Sequence, residues 1–138
     1  MRILGIDFGE RRIGLAISDV TETVAQGIGH IACTNKDSIL EQINQILVDY
    51  DVKKIVVGYP YNMNFTKGPA AEKVDEFMQW LREALKVPII DWDERLTTRL
   101  SEKTLIEAGM SRKKRKKVID MLSAQLILQA YLDSEKNR

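Results

Sequence analysis

Cysteine and histidine are nearly absent: 138 residues contain one of each, with only three prolines. A single cysteine, Cys33, excludes a disulfide framework and a cysteine-based zinc site within one chain. It also favours a reducing compartment, so a cytoplasmic location is expected. A single histidine, His30, leaves no second imidazole for a proton relay or a histidine-based metal site. Long apolar runs are missing too. None approaches the ~20 residues that a membrane span needs. The opening stretch MRILGIDFGE is broken by Asp7 and has no small-residue cleavage site, so it does not read as a signal peptide. With no Pro/Ser-rich linker, low-complexity segment or repeat, a single domain over residues 1–138 is expected.

Hydrophobic residues make up 44% of the chain and charged residues 30%, enough for a sizeable core and against disorder. The net charge of +1 conceals a strong asymmetry. Residues 95–117 carry nine Lys or Arg against two Glu, whereas residues 1–94 carry ten against fifteen acids. A basic segment in an otherwise acidic chain reads as a contact for a polyanion. A solvated surface run is the alternative reading.

Hydrophobic period gives the elements. Arg2–Phe8 alternates, with Ile3, Gly5 and Asp7 on one face and Leu4, Ile6 and Phe8 on the other. Ile13–Ser18 alternates after the turn Gly9-Glu10-Arg11-Arg12, and a third strand is expected over Gln26–Ala32. Residues 36–50 switch to helical spacing, with Ser38 and Glu41 as a capping box. Lys54–Gly58 reads as a strand buried on both faces, residues 60–68 as a loop, and residues 69–86 as an amphipathic helix. Val87–Trp92 is a strand. A helix capped by Thr97 or Thr98 is expected to run to about Ala108, with Gly109 as its stop. The last helix is expected over about 117–132, with residues 112–117 as a mobile segment before it. The order βββαβαβαα predicts an α/β fold, a mixed five-stranded sheet with helices on its faces.

Chemistry is expected at the C-terminal ends of the parallel strands. Asp7 closes the first strand, and Glu94 follows VPIIDW. Asp120 shares a helical face with Ala124, Ile127 and Tyr131, which should pack inward. Three carboxylates in one cleft repel one another unless a cation neutralises them, and Mg²⁺ suits oxygen ligands. Asp91 and Asp93 remain alternatives to Glu94. His30, Cys33, Trp80, Trp92 and Tyr59 are read as packing or structural residues.

Four motifs, GIDFGERRIGLAISD (5–19), VVGYPYNM (56–63), DERLTT (93–98) and RKKRKKVIDMLSAQLILQAYL (112–132), resemble in order those of the YqgF (RuvX) family. That family comprises pre-16S rRNA nucleases related to Holliday junction resolvases. The resemblance spans essentially the whole chain. It implies an RNase H-like fold and a cytoplasmic phosphodiesterase dependent on Mg²⁺ or Mn²⁺, without a nucleotide cofactor, that matures the 5′ end of 16S rRNA. It implies Asp7, Glu94 and Asp120 as catalytic metal ligands, and Arg12 and Arg95 as phosphate contacts. Asn62 is a further candidate contact, and Arg112, Lys113, Lys114, Arg115, Lys116 and Lys117 are the expected backbone clamp. Related resolvases take their middle carboxylate from the fourth strand; Val56–Pro60 offers none. The expected partners are structured RNA and a ribosomal precursor, with a DNA junction as alternative, for a monomer or weak homodimer. A non-catalytic RNA-binding factor and a nucleotide-binding protein of the actin type are the competing readings.

Overall fold

A computed structural model of the protein describes residues 1–60, 68–93, 109 and 111–136, with side chains given outside 112–121 and 136. The sheet has five strands: β1 (Arg2–Phe8), β2 (Arg12–Ser18), β3 (Ala25–Ala32), β4 (Val52–Tyr59) and β5 (Ile89–Asp93), in the spatial order β3-β2-β1-β4-β5. β1, β2 and β3 pair antiparallel, while β1, β4 and β5 pair parallel. The mixed sheet expected from the sequence is therefore the one that forms.

The two faces are dressed differently. Leu4, Ile6, Ile55 and Val57 pack under α1 (Lys36–Asp49) and α2 (Pro69–Ala84), whose buried residues include Ile39, Ile43, Val74, Phe77 and Leu81. Both helices are crossovers into parallel strands. Ile3, Ala16 and Val56 on the reverse face pack under the last described helix, α3 (Arg112–Lys136), through Ala124, Ile127, Leu128, Tyr131 and Leu132. β4 is buried on both faces, which is why KIVVG lacks alternation.

Helix ends depart from the sequence reading in three places. Asn35, not Ser38, caps α1: its Oδ1 accepts from the Ser38 backbone N–H at 2.8 Å. α2 stops at Ala84, two residues short of expectation, with Gly68 as N-cap and Pro69 at its first position. α3 begins at Arg112, so residues 112–117 form its first turns rather than a mobile lead-in. Lys and Arg are good helix formers but carry no apolar period. The expected helix over 97–108 lies outside the described residues.

Candidate active site

β1, β4 and β5 end together at Phe8, Tyr59 and Asp93, making one C-terminal edge of parallel strands. Asp7 sits there, half-buried, on the face that α3 covers. Across the ladder on β2 it faces Gly14. On its other side, the register running from Ile6↔Val57 sets Gly58 beside it, and Gly58 pairs with Trp92 of β5. The carboxylate is thus flanked by two strands that present only backbone at its level.

The turn before β2 is equally constrained. A Cβ on Gly9 would lie 2.6 Å from the Arg12 carbonyl oxygen, so only glycine closes this turn without moving backbone. Arg12 then falls on Asp7's face, since Ile13, Leu15 and Ile17 all point to the other one. It is half-buried at the mouth of the edge.

α3 runs antiparallel to β1, and its contacts fix the alignment. Lys54 Nζ donates to Tyr131 Oη at 2.6 Å near the start of β4. Gly5 lies against Leu128 and the Ala124 carbonyl. On the other flank, the Ala25 and Gly27 N–H groups of β3 donate to Gln129 Oε1 (2.9 Å) and Gln125 Oε1 (3.2 Å), and Gln129 Nε2 donates to Thr23 O (2.9 Å). Position 120 lies one helical turn before Ala124, about 6 Å nearer the strand ends. Asp7 follows Gly5 by two strand residues, about 6.6 Å, in the same direction. The turn 120–124 is consequently the part of α3 level with Asp7.

Ser123 was not singled out from the sequence. It is 0% exposed, and its Oγ has no hydrogen-bond partner among the described residues. Tyr131 and Ile127 stand on the same flank of α3 at four-residue intervals, and Tyr131 reaches both Lys54 and the Trp92 ring (5.7 Å, edge-on). From 131 to 123 the helix rises about 12 Å, and from Lys54 to Gly58 the strand rises about 13 Å. Ser123 therefore stands on the β4 flank of α3, one residue from the Ala124 contact with Gly5. The spacing 123/127/131 is the signal in the sequence that marks it.

Asp91 and Asp93 go elsewhere. They pair with Val57 and Tyr59, whose side chains belong to the cluster under α1 and α2. Tyr59 Oη donates to Asp75 Oδ2 of α2 at 2.9 Å, which marks that face. Both acids of β5 therefore lie on the opposite face from Asp7. Tyr59 and Trp92 pack as expected, whereas His30 is exposed rather than packed. Glu94, Arg95 and Asn62 lie outside the described residues, and Asp120 and residues 112–117 are placed in α3 by backbone alone. Among the described residues no three acidic, histidine or cysteine groups cluster tightly enough to hold a metal ion.

Two clefts of about 390 Å³ each open on the α1/α2 face. Phe8, Lys73, Phe77 and Trp80 line the first, and Pro60, Pro69 and Lys73 the second. Neither includes Asp7. Lys73 pairs with Glu10 there, and Lys36 lies over the Trp80 ring. Both of these clefts thus lie on the face opposite Asp7. No described helix is long and apolar enough to cross a membrane.

The family model described as RuvX, Holliday junction resolvase, matches residues 1–134. A relative from Caldanaerobacter subterraneus subsp. tengcongensis is 54% identical and covers 99% of each chain. One from Listeria innocua is 46% identical, covering 97% of this chain and 99% of its own. Both carry the provisional name of pre-16S rRNA nuclease. Among solved structures, Fowlpox virus resolvase in complex with Holliday junction DNA aligns with a TM-score of 0.59 at 15% identity, covering 98% of this chain and 99% of that one. Thermus thermophilus RuvC in complex with a Holliday junction substrate aligns at 0.56 and 15%, covering 98% and 96%. At these identities the likeness is one of fold, the RNase H-like fold of resolvases.

Proposed function

Because the chain belongs to the RuvX family, we propose that it is a divalent-metal-dependent nuclease that hydrolyses phosphodiester bonds in structured RNA, with the 5′ region of the 16S rRNA precursor as substrate. Asp7, Glu94 and Asp120 hold the metal in this reading. One observation carries it: α3 seats on β1 at Gly5, which brings the turn beginning at Asp120 level with Asp7 at the parallel-strand edge. Glu94 is preferred as the third ligand because Asp91 and Asp93 face the other side of the sheet.

The residues present fit a small hydrated cation. Gly14 and Gly58 put no side chain on either side of Asp7. Carboxylates at the end of a sheet are hard oxygen ligands of the kind Mg²⁺ and Mn²⁺ take. When bound, such an ion lowers the pKa of water to yield a nucleophile and stabilises charge on the phosphate oxygens.

The remaining work falls to the chain. Asp7 and Asp120 would hold the ion, which would supply charge neutralisation at the reacting phosphate. Arg12 and Arg95 contact phosphate oxygens at the mouth, and Asn62 contacts the sugar–phosphate backbone. Residues 112–117 grip the strand farther out. Six cations at the N-terminus of α3 oppose its dipole, and the first turn has no acid. A bound polyanion removes that conflict.

The names of the relatives favour RNA, and the family description favours a DNA junction. Incubation of the protein with Mn²⁺ and either a 16S precursor 5′ fragment or a four-way DNA junction decides between them. Cleavage of the precursor fragment alone is the expected result. Metal-dependent cleavage of the junction alone assigns the chain to DNA resolution, and binding without turnover of either makes it a non-catalytic RNA-binding factor.

A further inference from the structure

We infer that the cleft between the start of α1 and the facing side of α2 is a stacking pocket for one unpaired nucleobase of the RNA strand, next to the phosphate held at Asp7. The inference rests on the nuclease reading for its substrate, but it uses no residue of the proposed metal site.

Helical spacing builds the cleft. Lys73, Glu76, Phe77 and Trp80 recur at i, i+3, i+4 and i+7, so one stripe of α2 forms a wall. Lys36 and Ile39 of α1 form the wall opposite. The floor is aromatic. The Phe8 and Phe77 rings stack at 4.4 Å and 21°, and Trp80 continues the row, 6.0 Å from Phe77 and tilted by 43°. Phe77 is buried, whereas Phe8 and Trp80 are only half-buried. The volume of about 390 Å³ lies within the range of small-molecule sites, roughly 300–1,000 Å³.

The rim selects the occupant. It carries two lysines, Lys36 and Lys73, and two glutamates, Glu10 and Glu76. Lys73 pairs with Glu10, and Lys36 Nζ lies 5.9 Å from the centroid of the Trp80 ring. A rim of balanced charge offers no net attraction to a bare phosphate or an anionic lipid headgroup. A purely apolar side chain would leave the rim groups nothing to bond. A nucleobase suits both parts. Its π-face stacks on aromatic rings, and its edge carries donors for carboxylates and acceptors for ammonium groups.

Position ties the cleft to Asp7. Phe8 is the last residue of β1 and follows Asp7 directly. Consecutive side chains of a strand point to opposite faces, so the two stand back to back at one edge of the sheet. The second cleft shares Phe8, Glu10 and Lys73 with the first and reaches Pro60, just past the end of β4. The groove therefore follows the edge at which the parallel strands end. An RNA strand with a phosphate at Asp7 crosses that edge at Phe8 and lays a neighbouring base into the cleft. Splaying an unpaired base onto aromatic rings is the usual way proteins read RNA outside helices.

The test is fluorescence anisotropy of a labelled 16S precursor 5′ fragment across a range of salt, in EDTA so that no cleavage intervenes. The proteins are wild type, Trp80→Ala and Trp80→Phe, with circular dichroism confirming their folding. Trp80→Ala should bind about 5-fold or more weakly at every salt concentration. Its slope of log affinity against log salt should equal that of the wild type, because no phosphate contact is lost. Trp80→Phe, which keeps a ring, should recover most of the affinity. A second measurement does not depend on removing Trp80: Trp92→Phe leaves Trp80 as the sole tryptophan, and its emission should be quenched as the fragment binds. Wild-type affinity in folded Trp80→Ala, or Trp80 emission unmoved by saturating RNA, overturns the pocket, and Mn²⁺-dependent cleavage by the wild type then leaves the nuclease reading standing. A flattened salt slope in Trp80→Ala assigns the cleft to phosphate and overturns it too. Quenching by adenosine monophosphate but not by the fragment makes the cleft a mononucleotide site instead. A wild type that does not bind the fragment removes the nuclease reading and this inference together.

Discussion

Gly5 and Leu128 touch where the sheet and the last helix come closest. A Cβ on Gly5 would lie 2.8 Å from Leu128 Cβ and 3.3 Å from the Ala124 carbonyl oxygen. Gly5→Ala must therefore push α3 away from β1. Overpacking of this sort costs about 1–3 kcal/mol. Truncating Leu128 to Ala cannot relieve it, since the clashing atom is a Cβ that alanine keeps. Gly5→Ala should unfold at a lower denaturant midpoint, and its Mn²⁺ affinity should fall because the turn carrying Asp120 shifts with the helix. Wild-type Mn²⁺ affinity in a destabilised Gly5→Ala would separate α3 packing from the site.

Gln129 ties α3 to the edge strand through two bonds, from the Ala25 N–H and to the Thr23 carbonyl. Gln129→Leu leaves both backbone groups without their protein partner, at a cost of about 1–3 kcal/mol. Chemical denaturation should show that loss. Amide hydrogen exchange should show faster exchange at Ala25, with the β1 and β4 amides unchanged.

Asp19 stands at the opposite end of β2 from the proposed site. The Thr21 hydroxyl, and then the Val24 and Thr23 N–H groups, hold its carboxyl well below the usual carboxylate range. A depressed folded pKa contributes stability that is complete above the unfolded value, ~4, and is lost as pH falls through the folded one. The difference in thermal stability between wild type and Asp19→Asn should thus be constant above about pH 5 and shrink progressively below about pH 4. A gap that does not change with pH would mean that the carboxylate charge plays no part in the 19–24 turn.

Residues 112–117 form the first turns of a helix rather than a loose tail. If they grip phosphates, binding must release counterions. Replacing four of the six by Gln should flatten the slope of log affinity against log salt by about 3 for single-stranded RNA. Fluorescence anisotropy from 50 to 300 mM salt, on the order of the range used for such plots, measures it. An unchanged slope would clear these residues of phosphate contact.

The strands were legible because alternation is a direct record of two buried faces. Ile3, Gly5 and Asp7 on one side of β1 already set Asp7 on the face of the last helix. The start of α3 was not legible, since six charges in succession carry no period. The cap of α1 was misread by one turn because Ser38 and Glu41 imitate a capping box, while Asn35 takes the role. That Asp91 and Asp93 face away from Asp7 needed the register of β5 against β4, which no single-strand pattern supplies. Ser123 was hidden for another reason. A serine between leucine and alanine looks neutral until its neighbours are known to give its hydroxyl no bond.

The central claim is that Asp7 and Asp120 act together through one metal-bound centre. Turnover of a 16S precursor 5′ fragment with Mn²⁺ by wild type, Asp7→Asn and Asp120→Asn tests it most directly, with circular dichroism confirming that all three are folded. The account predicts metal-dependent cleavage by the wild type and none by either folded variant. Cleavage by both variants at the wild-type rate would contradict it.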